Sequence, residues 1–293
     1  MKNVNCALCQ SNNNHLVSKI GRNSTSLKIV ICKICGLLYL NPRHTKEEYN
    51  AMYSSGSYSK KYRSNNEISE KYVDNQRKKG QSINDFCASV NNKKDTVFEV
   101  GSTSGGILDY LRSVGYKSVE GIDPEIAYAN YANKVLNIKT HIGLFDDFKT
   151  KNKYSLIILR HVLEHTVDPL KILRAAKKIL APGGLIYLEV PNLYSLNLMK
   201  NWIFNFIIEH VYIFTPNTLK IAVHKAGLNI VKEDKNVGFK RDIRFLLQDN
   251  MSEISPIPRG DNWIYVLFRG WFYHYSTFLR KFYYSVRLFI KKL

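Results

Sequence analysis

Apolar and polar positions change period several times along this chain. Between 93 and 235, short apolar runs alternate with segments of helical period, the pattern of βαβ units laid on a parallel sheet. The runs 96–100, 118–122, 155–159 and 185–190 predict strands, with a helix over 106–114 between the first two. Asp168 and Pro169 mark a helix start: a carboxylate can accept from the first free N–H groups, and proline suits the first helical position. Pro182-Gly183-Gly184 marks that helix's end. Thr215-Pro216 opens another helix, which stops at Gly227, and 228–232 is a further strand. Trp263 to Phe268 reads as a late strand at the sheet edge.

The flanks differ in kind. Residues 1–45 hold paired cysteines and short β-like runs, and read as a small domain. Residues 46–92 are polar and Tyr-rich, with a helix over about 67–90, and read as a connector. The α/β domain then spans 93–268, and 269–293 forms a basic, aromatic C-terminal helix. The predicted fold class is therefore α/β: a Rossmann-like seven-stranded sheet with a small N-terminal domain and a helical tail.

Cys6-x-x-Cys9 and Cys32-x-x-Cys35 are separated by 22 residues. Each pair forms a knuckle that points two thiolates at one ion, and two knuckles complete a tetrahedral zinc site. With all four positions thiolate, no place remains for a catalytic water, so the zinc is structural. It would hold together a segment too small for its own core. Cys87 stands apart, and His15 and His44 read as surface residues. Paired cysteines of this kind also point to a reducing cytoplasm rather than to a disulfide framework.

Charge alters the picture of partners. Lys and Arg number 43 against 24 acids, a formal net charge of +19. A fold does not need that excess, so an anionic partner is expected, unless Lys is simply over-used across the chain. No N-terminal apolar h-region and no stretch long enough to span a membrane is found in the sequence, which fits a cytoplasmic chain. From Asp261 on there is no further acid, while six Lys or Arg lie between Arg269 and Lys292 among many aromatics. A helix of that composition suits contact with the inner face of an anionic membrane. Packing on the sheet or in a dimer, or contact with nucleic acid, are the alternatives.

Glu99-Val-Gly101-Ser-Thr-Ser-Gly105-Gly106 follows the first strand and opens a helix. Glycines let the backbone approach a ligand, and a helix N-terminus offers free N–H groups. An acid within the turn would repel a diphosphate but suits an amine or sulfonium. Asp123 ends the second strand, where a carboxylate can take both hydroxyls of a ribose.

These residues resemble the class I S-adenosylmethionine-dependent methyltransferases over about 93–235. Glu99, Gly101 and Gly105 match the family's acid-x-Gly-x-Gly-x-Gly turn, with Thr103 in place of the middle glycine. Asp123 matches the ribose-binding acid, and Gly143-Leu144-Phe145-Asp146 lies where the family places its adenine pocket. Arg160-His161-Val-Leu-Glu164-His165 matches the segment after the fourth strand, and Leu180-Ala-Pro-Gly-Gly184 the turn before the fifth. The family's Phe-Asp pair ahead of the fourth strand is Tyr154-Ser155 here. The resemblance implies S-adenosylmethionine held by Glu99, Gly101, Gly105, Asp123, Leu144, Phe145 and Asp146.

A narrower likeness is to sugar C-methyltransferases acting on nucleotide-linked deoxysugars. They share the zinc knuckles, an Asn-Pro-Arg43 segment, a Tyr-rich connector and a late Glu-His pair. In them the zinc domain helps hold the nucleotide, and a Tyr-x-Glu-His segment supplies the base. Here Glu209-His210 match, Ile207 stands at the Tyr position, and the large C-terminal domain of those enzymes has no counterpart. His210 is thus the expected base, with Glu209 orienting it or binding substrate. His161, which shares helical spacing with Glu164 and His165, is expected to contact the acceptor. A divalent metal there, since ubiquinone-type O-methyltransferases carry a metal-binding acid at that point, and a structural role in packing beneath the site are the alternatives. Tyr58 and Tyr62 could form a lid. The implied activity is methylation of a nucleotide-linked or lipid-linked sugar in glycan or secondary metabolite synthesis. RNA methylation is disfavoured, because the aromatics cluster in a tail and no Asn-Pro-Pro-aromatic motif is present. A non-catalytic cofactor-binding subunit at the membrane surface is the other alternative.

Overall fold

The structure is a computed structural model and describes residues 1–21, 25–54, 68–90, 94–195, 207–234, 241–249 and 259–269. The N-terminal strands are β1 (Asn14–Ile20), β2 (Ser26–Cys32) and β3 (Leu38–Leu40). Helices α1 (Lys46–Ser54) and α2 (Glu70–Ala88) lead into β4 (Thr96–Val100), α3 (Gly106–Ser113), β5 (Ser118–Asp123), α4 (Ile126–Lys134) and β6 (Lys139–Ile142). Then come β7 (Tyr154–Arg160), α5 (Pro169–Ile179), β8 (Leu180–Pro191), β9 (Tyr212–Ile213), α6 (Pro216–Lys225), β10 (Asn229–Glu233) and β11 (Asp242–Gln248). A helical segment, α7, follows at 263–269.

Seven strands form the main sheet in the order β10-β11-β8-β7-β4-β5-β6. The central pairings are parallel, and β11 runs antiparallel to both β8 and β10. Successive residues of the apolar runs serve opposite faces. Ile157 and Leu159 join one core and Ile158 the other; Ile186 and Leu188 join the first and Tyr187 the second. That is why these strands read as continuous apolar runs rather than alternating ones. Their carboxyl ends converge on one edge, where open α/β sheets bind ligands.

The predicted caps are present. The Asp168 carboxylate accepts from the Lys171 N–H at 3.0 Å, and Thr215 and Thr218 form a reciprocal capping pair at the start of α6. The connector helix α2 lies hard against α3. A Cβ on Gly106 would come within 2.8 Å of the Val73 carbonyl oxygen and 2.7 Å of the Gln76 Cβ, so glycine there lets the helices meet.

The late edge of the sheet departs from the sequence reading. Residues 263–268 are helical, not a strand. The Asn262 Oδ1 accepts from the Ile264 and Tyr265 N–H groups at 2.9 and 3.3 Å, an N-cap. Trp263, Val266 and Leu267, at helical spacing, then turn onto the N-terminal sheet. The edge position expected for 263–268 belongs instead to β10 and β11, with Ile243, Phe245 and Leu247 of β11 entering the core.

The N-terminal sheet has the order β1-β2-β3-β9, so its fourth strand comes from residues 212–213. Tyr58, Tyr62 and the tail beyond 269 lie outside the described residues. Among the described residues no helix is long and apolar enough to cross a membrane.

Candidate active site and four-cysteine cluster

The turn after β4 is built on positive φ. Gly101 and Gly105 have φ of 72° and 79°, and Thr103, at the family's middle-glycine position, has φ of 48°. A β-branched residue rarely adopts that conformation; here a hydrogen-bond set holds it. The Gly101 and Ser102 N–H groups donate to the Ile122 carbonyl at 2.8 and 3.2 Å. The Thr103 N–H donates to Asp123 Oδ2 at 2.8 Å, and Asp123 Oδ1 accepts from the Glu125 N–H at 2.8 Å. A carboxylate at this position is of the kind that accepts from ribose hydroxyls.

Glu99 is buried at the foot of this turn, and its Oε2 has no hydrogen-bond partner among the described residues. Burial pushes its carboxyl well above the usual carboxylate range, with Arg160 pulling the other way. An orphaned buried acid facing a cleft is what a sulfonium or ammonium group would satisfy, so the residues fit S-adenosylmethionine.

The cleft has a volume of about 980 Å³ and joins Glu99, Gly101 and Asp123 to His161, His165 and His210. Gly143, Leu144, Phe145 and Asp146 line it on the β6 side. The Phe145 ring is buried 5.9 Å from that of Phe98, and Asp146 lies 3.5 and 3.6 Å from the ammonium groups of Lys46 and Lys171.

On the opposite side, the stretch after β7 forms a single 3-10 turn over Leu163–His165 rather than a helix, and Glu164 sits between His161 and the His165–His210 pair. His161, at φ 52°, has Nδ1 3.0 Å from Glu164 and Nε2 3.2 Å from Glu189, with Asp242 at 3.7 Å. Burial opposes its charge, but the bonds to Glu164 and Glu189 hold its pKa at about 9. Both ring nitrogens therefore carry protons at neutral pH. Glu189 also receives Arg160 Nε at 2.9 Å and the Tyr187 hydroxyl, and despite burial stays near 2. Glu189 and Asp242 escaped the sequence reading because β8 and β11 become neighbours only in the folded sheet.

His165 belongs to a different group. Its Nδ1 lies 3.0 Å from the Glu209 carbonyl oxygen and 3.1 Å from the Tyr53 hydroxyl. A carbonyl only accepts, so Nδ1 bears the proton. Burial, with His210 adding to it, lowers the His165 pKa to about 3. Its ring meets that of His210 edge-on at 4.7 Å. Glu209 is itself buried and meets His165 through its backbone carbonyl. His210 lines the cleft.

The four cysteines converge. Cys6 and Cys35 sulfurs are 3.5 Å apart, those of Cys9 and Cys32 3.4 Å apart, and all four lie within 4.8 Å of one another. Disulfides would need about 2.05 Å, whereas a tetrahedral zinc with bonds of about 2.3 Å sets sulfurs about 3.8 Å apart. The Cys6 thiol is pushed up to about 12 by its bond to Cys32 and by burial, while Cys32 is drawn down to about 2 by bonds from Cys35 and Cys6. A dication is what lets all four ionise together.

A glycine-turn cradle, a ribose-type acid and a seven-stranded sheet of this order define a Rossmann-like enzyme of the class I methyltransferase kind. Residues 72–233 match the methyltransferase domain family, and the chain belongs to it. Over 145 residues it is 30% identical to the C-methyltransferase NovU of Streptomyces niveus, covering 47% of this chain and 33% of that one. Over 180 residues it is 25% identical to a ubiquinone biosynthesis O-methyltransferase of Hydrogenovibrio crunogenus, covering 56% and 73%. The chain thus spans about a third of the C-methyltransferase and nearly three quarters of the other. Among solved structures, magnesium protoporphyrin IX methyltransferase of Synechocystis shares the fold, with a TM-score of 0.51 and 14% identity over 69% of this chain and 99% of that one.

Proposed function

We propose that this enzyme transfers the methyl group of S-adenosylmethionine to a nucleotide-linked or lipid-linked sugar, with His210 as general base. The observation that carries the reading is the continuity of one cleft from Glu99 and Asp123 to His210. S-adenosylmethionine supplies an electrophilic methyl on a sulfonium. Asp123 accepts from the ribose hydroxyls, and the buried Glu99 carboxyl faces the cationic end of the cofactor, whose positive charge would favour its ionised form. His161 is held as an imidazolium with both ring N–H groups committed to Glu164 and Glu189, so it fixes the cleft wall rather than removing a proton. His165, neutral and with its Nδ1 proton committed, supports the His210 ring. His210 takes the acceptor proton as the acceptor–methyl bond forms and the methyl–sulfur bond breaks. Likeness to a C-methyltransferase and the net charge of +19 favour an anionic sugar acceptor.

The test is a panel of acceptors with methyl-labelled S-adenosylmethionine: nucleotide-linked sugars, lipid-linked sugars and transfer RNA. Label in a sugar supports the reading. Label in RNA alone overturns it.

A further inference from the structure

The wall of the cleft that carries His210 is hydrogen-bonded into the sheet that carries the four cysteines. β3 begins three residues beyond Cys35, and the Cys32 N–H donates to the Leu37 carbonyl at 2.9 Å, so the knuckle fixes where that strand starts. β3 then pairs antiparallel with β9, Leu38 opposite Ile213 and Tyr39 opposite Tyr212. The Leu40 N–H reaches the Val211 carbonyl at 3.0 Å, one residue from His210.

Two side chains reinforce this strap from the N-terminal side. The Arg43 guanidinium donates to the Tyr212 hydroxyl and, at 2.8 Å, to the Val167 carbonyl. The Tyr49 hydroxyl donates to the Ile208 carbonyl at 2.9 Å. From the catalytic side, the Val211 N–H donates to the Glu164 carbonyl at 2.7 Å. Cys6, Cys32, Cys35, Tyr39, Val211 and Tyr212 share one buried cluster. The cofactor side is built on β4 and β5, within the main sheet. Besides the apolar core it shares with the N-terminal sheet, where Val100 and Ile122 join the cluster of Cys6, its ties to α1 are the Lys46 pairs with Asp146 at 3.5 Å and Asp147 at 2.9 Å, partly exposed contacts of the kind that contribute little.

We infer that the zinc knuckle is a positioning device for the acceptor side of the cleft: it fixes β3, β3 fixes β9, and β9 sets the place of His210. Metal content would then govern acceptor geometry without governing cofactor affinity. Arg43 is the positioning residue that locks the strap. The inference rests on His210 facing the acceptor, but its test is separate from His210 acting as base.

The experiment compares the zinc-loaded full chain with Cys32→Ser and with Arg43→Gln, which leaves the four thiolates in place. S-adenosylhomocysteine affinity is read by calorimetry, the His210 ring by NMR, and the Leu40 and Val211 amides by hydrogen exchange. Both variants should keep cofactor affinity within about twofold, as separated sites do. Both should displace the His210 resonances and raise exchange at the two amides by about tenfold or more, Arg43→Gln doing so with zinc retained. Unchanged His210 resonances and amide protection in both variants would overturn the inference. So would parallel loss of cofactor binding in Cys32→Ser, which would make the knuckle a support for the whole domain. Failure of His210 as base would show instead as full turnover of His210→Ala, whatever the strap does.

Discussion

The Thr103 N–H donates to Asp123 Oδ2 at 2.8 Å, so the residue in the left-handed position of the glycine turn also holds the ribose-type acid. Turn and acid are one unit. Asp123→Ala removes the acceptors for two ribose hydroxyls, each charge-assisted bond contributing about 1.5–3 kcal/mol. Calorimetry should find cofactor affinity lowered by at least about tenfold. Unchanged affinity would misplace the ribose.

Thr103 should respond to substitution in the opposite sense. Its φ of 48° is costly for a β-branched residue, and such strain amounts to about 1 kcal/mol or more. Thr103→Gly should therefore leave the melting temperature equal or higher and keep the N–H bond to Asp123. A marked fall in stability would mean that the threonine side chain, not the backbone, holds the turn.

His161 sets a pH window. Its pKa rises on folding to about 9, above an unfolded value of about 6.5. Its contribution to stability is fully present below the unfolded value and is lost as pH rises through about 9. Urea midpoints should fall across that window, and His161→Gln should flatten the fall. His165 has the opposite sign: its pKa is lowered to about 3, so its contribution is present above about 6.5 and is lost as pH drops toward the folded value.

Much of the cofactor side was legible because it is local. Glu99, Gly101 and Gly105 lie in one turn, and Asp123 ends the next strand, so turn, acid and strand–helix context are read from one short stretch. The polar run of β6 and the polar ends of β11 hid two strands, which show themselves as strands only through their neighbours in the sheet. The carboxylates around His161 come from β8 and β11, and no local pattern links residues that far apart. The pairing of β3 with β9 is likewise invisible, since a two-residue strand has no period. For Trp263 to Phe268, alternation and helical spacing competed, and the Asn262 cap decided for helix.

The metal prediction follows from sulfur spacing. Purified protein should contain one zinc per chain. Chelation should lower the melting temperature, because binding free energy of a structural zinc is folding free energy. Iron in place of zinc, or a metal-free chain of equal stability, would contradict the assignment.

The central claim is a two-sided cleft, with cofactor held at Asp123 and the acceptor deprotonated at His210. The most direct measurement is single-turnover transfer of labelled methyl to the sugar acceptor, with S-adenosylhomocysteine affinity determined on the same samples. For His210→Ala, the rate should fall by about 100-fold or more while cofactor affinity stays as in the unsubstituted protein. Full turnover in His210→Ala, or loss of cofactor binding along with rate, would contradict that division of roles.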